Sequence, residues 1–455
     1  MLDVLANLER IEDEGLKIKI GIVGIGKMGK GLLDNIRKIP GMRVAAVATQ
    51  NIDETLKFAK EIGFKEKNII VVSLNNYSLK NNLDGQVIVF SNLSTAQEKK
   101  VKINELDIED KLLITDDSSL IPLINDIEVV VDATGKPEVG AQVSLSSLLN
   151  KKHVVTLNVE TDTVIGPIFK KIAENCGVVY TVSAGDEPAA AKELFNFAKN
   201  TNLKVISAGK GKNNPLDRYA NPITLKEYSK EKKSNPYMMT SFVDGTKSMI
   251  EMACLSNATG LIPDVRGMHG PKVNTKDLVK VLIPKKDGGI LNNSGVVDFV
   301  IGDLAPGVFL IYTTDSEIIR SDLEYLKNGS GPYFLLYRPY HLASIETPIS
   351  IAYAAIYNEP TIQPIDGLIS EVMTFAKKDL RAGEVLDGIG GYTCYGLIEL
   401  HKVMKEENYL PIGLSEGCIL KRNISKDEPI KFSDVEIKEN STLFHLRKIQ
   451  DFEIG

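Results

Sequence analysis

Three groups of residues have types and spacing suited to chemistry. Gly24, Gly26 and Gly29 make a G-x-G-x-x-G motif, with Lys27 and Met28 between the last two glycines. Such glycines serve a tight turn, close approach of backbone to a pyrophosphate, and close helix–strand packing. The second group is Asp186-Glu187, adjacent carboxylates directly before Pro188, together with Glu160 earlier in the chain. Carboxylates at strand ends suit proton transfer or a divalent cation; the alternative is that Asp186 caps a helix from Pro188 to Lys199 and Glu187 supports its dipole. The third is Gly209-Lys210-Gly211-Lys212-Asn213-Asn214-Pro215. Its glycines allow a ligand close to the backbone. Lys210 and Lys212 supply cationic ends for a phosphate or carboxylate, or a proton for a carbonyl, unless they are solvated loop lysines.

These residues need elements to hold them. Lys17 to Val23 reads as a buried strand, and Gly31, Leu32, Leu33 and Ile36 continue in helical spacing. The glycine motif thus falls between a strand and a helix, the context that identifies a dinucleotide turn. A second strand, Met42 to Ala48, ends in Thr49-Gln50-Asn51. An NAD site carries an acidic residue about 20 positions beyond the glycines to bind the ribose. Its absence here favours NADP, with NAD as the alternative, and Thr49 is a cofactor candidate. Glu66 to Lys111, with short strand-like runs at Ile69–Val72 and Val87–Phe90 among Asn75, Asn76, Asn81 and Asn82, reads as a surface insertion. After the strand ending at Asp132, Ala133-Thr134-Gly135 suits the nicotinamide half, or is an ordinary turn.

Lys152 to Leu157 reads as a strand delivering Asn158, Val159 and Glu160, and Val178 to Val182 as one ending near Asp186. Open α/β sheets bind ligands outside the carboxyl ends of strands. Asp217 to Pro236 is charged and irregular and reads as a lid, before a helix with Met249, Ile250, Ala253 and Leu255 as its buried stripe. Lys247 is four residues before Glu251 on that helix, spacing that allows a pair. Val279–Leu282, Val296–Val300 and Val308–Tyr312 have strand character and build a second sheet. His269 lies in the tight loop Gly267–Pro271, in either a structural or a substrate-binding role; Arg338 and His341 are anion ligands or form an interdomain salt bridge. Beyond the linker at Pro360–Pro364 the pattern changes to short strands and turns.

The fold class that follows is α/β: a Rossmann-type parallel sheet, a second α+β domain, and a small C-terminal β domain. The expected division is 1–160 (with the insertion at 66–111), 161–345, a helix at 346–362 returning to the first domain, and 363–455. The composition agrees with a globular chain, 43% hydrophobic and 25% charged over 455 residues. A net charge of −6 argues against nucleic acid or an anionic membrane as partner. Four separated cysteines without a C-x-x-C pair suit a reducing cytoplasm and not a zinc knuckle. Met1 to Gly15 reads as an acidic helix instead of a signal peptide, and no apolar run reaches the roughly 18 residues of a membrane span.

The segments Asn158–Glu160, Ala184–Pro188, Gly209–Pro215, Ser241–Lys247, Gly267–Pro271 and Tyr337–Leu342 resemble the homoserine-dehydrogenase-like oxidoreductases with a C-terminal SAF domain. Within these, the chain most resembles the deoxyxylulose-5-phosphate reductoisomerase-like (DRL) enzymes, and Leu380 to Val435 is similar to the SAF module itself. The resemblance implies a cytosolic, NADP-linked homodimer of isoprenoid biosynthesis. Its small-molecule reaction would convert 1-deoxy-D-xylulose 5-phosphate, or a related sugar phosphate, to 2-C-methyl-D-erythritol 4-phosphate. Lys210, Lys212, Glu160, Asp186, Glu187, Asn213 and Asn214 would be catalytic; Lys247, His269, Arg338 and His341 would bind substrate. A divalent cation, whose ligands the sequence does not assign, would stabilise an enolate. The Asn-Lys pair of homoserine dehydrogenases is Asn158-Val159 here, which argues against homoserine as substrate. The alternatives are a polyhydroxy-acid or sugar-alcohol dehydrogenase without rearrangement, and a nucleotide-binding sensor without turnover.

Overall fold

A computed structural model describes residues 3–73, 86–90, 95–437 and 440–454. The chain divides into two compact units: Met1–Thr161, Ile168–Gly185 and Leu342–Gln363 form one, and Asp162–Pro167, Asp186–His341 and Pro364–Gly455 the other.

The first unit is built on eight parallel strands: β1 (Ile18–Val23), β2 (Met42–Ala48), β3 (Ile69–Ser73), β4 (Gln86–Val89), β5 (Leu112–Thr115), β6 (Val129–Asp132), β7 (His153–Thr156) and β8 (Tyr180–Val182). Their order is β4-β3-β5-β2-β1-β6-β7-β8, so the sheet runs outward in both directions from β1. Alternation along the strands fills two cores. Ile18, Ile20 and Ile22 of β1 and Val129 and Val131 of β6 enter one, while Val23 and Val130 enter the other. A parallel sheet covered on both faces reads as continuous apolar runs, as these strands do. The helix Ala343–Ala352 packs on the helix Lys27–Ile36, with Asn35 Nδ2 donating to Ile345 O at 3.0 Å.

Several expectations change. Ile69–Ser73 is buried throughout and pairs with both β4 and β5, so the 66–111 stretch widens the sheet and is not a surface insertion. Asn75, Asn76, Asn81 and Asn82 lie outside the described residues. β8 and the end of the preceding helix belong to the first unit, although the sequence boundary placed them in the second domain. That helix starts at Val159 with Asn158 as its N-cap, and is kinked at Ile165 ahead of Pro167. Proline in a helix interior removes a hydrogen bond and clashes with the previous turn.

The second unit holds a mixed sheet of β9 (Lys204–Gly211), β10 (Ile262–Pro263), β11 (Val296–Val300), β12 (Val308–Thr313) and β13 (Phe334–Arg338), ordered β10-β11-β9-β12-β13. Leu278–Val281 is a short helix where sequence suggested a strand; an apolar run this short fits either period. The stretch read as a lid contains the helix Lys226–Glu231, and Ala220 packs with Met239 and Val243. The helix Thr246–Thr259 is buried on nearly every side, Glu251 and Asn257 included, and not along one stripe. It packs on the helix Glu187–Asn200, on β11, and on the antiparallel strands β14 (Ser370–Ala376) and β15 (Cys394–Leu400). The C-terminal strands therefore cluster with the second unit instead of forming a third. β16 (Ile419–Leu420) and β17 (Val435–Glu436) complete that region as a second antiparallel pair. Among the described residues no helix is long and apolar enough to cross a membrane.

Gly209 and Gly211 lie inside β9, which overturns their reading as loop residues admitting a ligand. A Cβ on Gly209 would overlap the Asp298 carbonyl of the neighbouring strand, and one on Gly211 the backbone of Ala305. Gly209→Ala must push strands apart, and overpacking of this kind costs about 3 kcal/mol. Urea unfolding should show that loss without a change in slope.

Candidate functional site

The first unit offers a phosphate cradle where β1 meets β6. Gly24 has φ +98°, and a Cβ there would sit 2.8 Å from Ala133 O. Gly29 faces Gly24 O, where a Cβ would also clash, so turn and helix close tightly. Gly26 differs: it is the N-cap of Lys27–Ile36, and a Cβ on it would meet nothing within 4 Å. The open face and the unpaired N–H groups of the first turn fit a pyrophosphate. Lys27 and Met28 are exposed on that turn.

The neighbouring strand ends are pinned by buried polar groups. Asp132, fully buried at the end of β6, accepts from Thr134 N at 2.9 Å and Thr134 Oγ1 at 2.6 Å. Its other oxygen accepts from Asn158 Nδ2 at 3.0 Å, and Asn158 also donates to Lys136 O at 2.9 Å. Burial raises the Asp132 pKa from its ordinary value. Ala133-Thr134-Gly135 is thus held from below. Thr49, half-buried, accepts from Thr55 Oγ1 at 2.9 Å, while Asn51 Oδ1 caps the following helix through Glu54 N at 3.1 Å.

The second unit assembles an ionic cluster from three elements. Lys210 of β9 donates to Glu187 at 2.6 Å, at the start of the helix Glu187–Asn200, and to Glu251 in the helix Thr246–Thr259. His341 Nε2 lies 3.5 Å from Glu187 and its Nδ1 is 2.7 Å from Pro306 O. Lys210, Glu187 and Glu251 are all buried. Burial works against every charge here. The Glu187 and Glu251 carboxylates nevertheless hold Lys210 above the usual lysine value, and Lys210 with His341 holds Glu187 below the carboxylate range. Asp186 goes the other way: burial and then the Glu187 charge push its pKa well up. Burial and Glu187 also raise Glu251. Lys247 is half-buried, and its charge bears on Asp186 and Glu251.

Lys212 follows β9, buried, and donates to Phe242 O. Burial and the Lys210 charge bring its pKa down to about 8. The two lysines therefore differ in kind: Lys210 is a fixed ammonium, and Lys212 titrates in the working range. Both were expected on an exposed loop, and the structure corrects this. Asn213 is exposed, and Asn214 Oδ1 accepts from Tyr228 Oη at 3.0 Å.

Asp186, Glu187 and Glu251 place oxygens within 4.8 Å of one another and could hold a metal ion. Hard carboxylate oxygens suit Mg²⁺ or Ca²⁺. Glu251, not Glu160, is the third member, which corrects the grouping of Glu160 with Asp186 and Glu187. Glu160 is buried on the helix Val159–Cys176, within the first unit. Two other candidates have structural partners. His269 Nε2 is 2.7 Å from Asp264, itself fixed by Asn292 and Asn293, and Arg338 binds Glu193 at 2.8 Å and stacks on Tyr340. Sequence reasoning left Glu251, Asp132 and Asn158 out of the site. The available signal for Glu251 was a lone carboxylate in the apolar run Met249–Cys254.

Residues 185–347 match the family model for the catalytic domain of oxidoreductase DRL. Over that stretch the chain resembles an oxidoreductase catalytic domain of the DRL type. Asp186, Glu187, Lys210, Lys212, Lys247, Glu251 and His341 all fall within the DRL-matched stretch. No curated protein matches the chain. Among solved structures, the biliverdin reductase of Synechocystis sp. PCC 6803 is 16% identical with a TM-score of 0.25, and the match covers 45% of this chain and 50% of that one. DOX-P reductoisomerase in complex with NADPH, fosmidomycin and magnesium is 17% identical (TM-score 0.39; 78% and 72% covered). Scyllo-inositol dehydrogenase from Lactobacillus casei is 15% identical (TM-score 0.34; 71% and 76% covered).

Two outcomes follow from this geometry. Gly26→Asp should fold normally, because its Cβ enters open space, yet lose NADPH binding in a fluorescence titration, because a carboxylate occupies the phosphate position. Lys210→Met should be far from silent in stability. Removing one partner of a buried ion pair costs about 3–5 kcal/mol. The loss should shrink as pH falls and Glu187 and Glu251 take up protons, measured by denaturant melts at neutral and acidic pH.

Proposed function

We propose that the chain is an NADP-dependent reductase of the reductoisomerase-like type, acting on 1-deoxy-D-xylulose 5-phosphate or a closely related sugar phosphate. The observation that carries the reading is the placement of Asp186, with its pKa raised, Glu187, with its pKa lowered, and Lys212, lowered to about 8, beside the Lys210 ammonium. Groups with pKa values pushed apart in one place divide acid and base roles. The absence of a carboxylate at Thr49-Gln50-Asn51 supports NADP over NAD.

Bound NADPH would supply a hydride, and the fold-independent requirement is then a proton for the carbonyl oxygen. Lys212 is the donor: at pH near 7 it is an ammonium whose burial favours release. Lys210 pairs with Glu187 and Glu251 and fixes both. Lys247 supplies positive charge for a phosphate, and His341 is a further substrate ligand. Asp186, Glu187 and Glu251 would hold a divalent cation, which would stabilise the enolate of the rearrangement. The exposed Ile318, Tyr325 and Leu326 support a homodimer, since clustered apolar surface marks association sites. The short strands and tight turns of 380–435 support the SAF-like reading.

A second reading, a sugar-alcohol or polyhydroxy-acid dehydrogenase without rearrangement, is favoured by Lys210 itself. Its ammonium already balances two carboxylates, so the cluster needs no metal for charge. NADPH consumption with 1-deoxy-D-xylulose 5-phosphate, with and without a chelator, separates the two. Chelator-sensitive turnover supports the first; turnover of a polyol that ignores chelator supports the second. For Lys212→Met, kcat should fall about 10²–10⁴-fold, the usual worth of general-acid help. In the wild type the reduction rate should decline as pH rises through about 8, where Lys212 loses its proton, and that limb should vanish in the variant.

A further inference from the structure

We propose that Lys377 is a positioning residue for Lys212, holding from the C-terminal strands the short helix whose carbonyl receives the Lys212 ammonium. The inference rests on the reading of Lys212 as proton donor. Lys377 follows β14 and is buried. Its ammonium donates to Ala220 O and Gly391 O, each at 2.8 Å, and forms an ion pair with Asp244 Oδ2 at 2.8 Å. A buried lysine held by two carbonyls and a carboxylate ties together the segments that carry them.

Asp244 caps the end of the helix Pro236–Val243 and its side chain reaches the start of the next. Its N–H donates to Thr240 O at 2.8 Å, and its Oδ1 accepts from Thr246 N at 2.8 Å. Phe242, the acceptor for Lys212, lies two residues before it. The same C-terminal strands grip this segment twice more. Gly396 N donates to Thr246 Oγ1 at 2.9 Å, and Gly390 lies so close to Tyr237 O that a Cβ would overlap it. The acceptor of Lys212 is therefore clamped on both sides by residues from 377–396. The charges facing Lys212 are Lys210 of its own strand, Glu251 of the helix Thr246–Thr259, and Asp244, whose charge Lys377 offsets.

The test uses the full chain with 13C-labelled lysine Cε, the Lys212 signal being assigned by its loss in Lys212→Met. In Lys377→Met the uncompensated Asp244 should raise the Lys212 titration midpoint by about one unit, the effect of a nearby opposite charge. kcat should fall about 10–100-fold, the usual cost of losing a group that orients another, with KM for NADPH unchanged. Lys377→Arg should restore both values close to wild type. If Lys377→Met does not fold, the double variant Lys377→Met with Asp244→Asn removes both charges. It should fold, with kcat lowered to the same extent. A wild-type midpoint and wild-type kcat in whichever of these folds would overturn the proposal. Failure of the catalytic reading looks different: Lys212→Met would keep full kcat while the Lys212 midpoint still responded to Lys377.

Discussion

The second unit depends on one buried ammonium. Taking an ion out of water costs several kcal/mol unless paired groups meet it with good geometry. Lys210 meets that condition only when β9, the start of the helix Glu187–Asn200 and the middle of the helix Thr246–Thr259 are all in place. The converse also holds, because Glu187 and Glu251 would be intolerable neighbours without the cation between them. Chemistry and fold are thus coupled in the same three side chains. Asp186 shows the residue of that balance: burial and the neighbouring Glu187 charge both disfavour a second full charge there.

The first unit works by shape instead of charge. The parallel sheet places the ends of β1 and β6 side by side, where strand order diverges, and such a divergence opens a crevice for ligands. Backbone geometry at Gly24 and Gly29 closes the turn, and the bare face at Gly26 leaves the room. Asp132 and Asn158 then lock the opposite rim through hydrogen bonds that only a short polar side chain at each strand end can make.

The glycine motif and the strands β1, β2 and β6 were legible from residues alone, because strand period and turn chemistry are local. The sheet's full width was not, since β3 lies amid polar asparagine-rich sequence that suggests a surface. The adjacent Asp186 and Glu187 could be read as a pair, but their opposite pKa shifts need Lys210 and Glu251. Both come from elsewhere in the chain. The lysines misled for a local reason: glycines flanking Lys210 look like a loop, whereas they exist to let strand neighbours pass within van der Waals contact. Glu251 hid because an apolar helix buried all round leaves no stripe against which a charge stands out.

The interleaving of the two units has a consequence for how the chain is born. The chain leaves the first unit at Thr161, returns at Ile168, leaves again at Gly185 and comes back only at Leu342. Val182 of β8 bridges Ile362, so the edge of the first sheet waits for a segment made some 180 residues later. At a synthesis rate of about 5–20 residues per second, that wait is roughly 10–40 seconds. During it the N-terminal sheet has its glycine turn but lacks the covering helix Ala343–Ala352, leaving apolar surface on a nascent chain. Vectorial folding, one finished module after another, is closed to this topology. Docking of residues 342–363 becomes the step that ends its exposure to aggregation and chaperones.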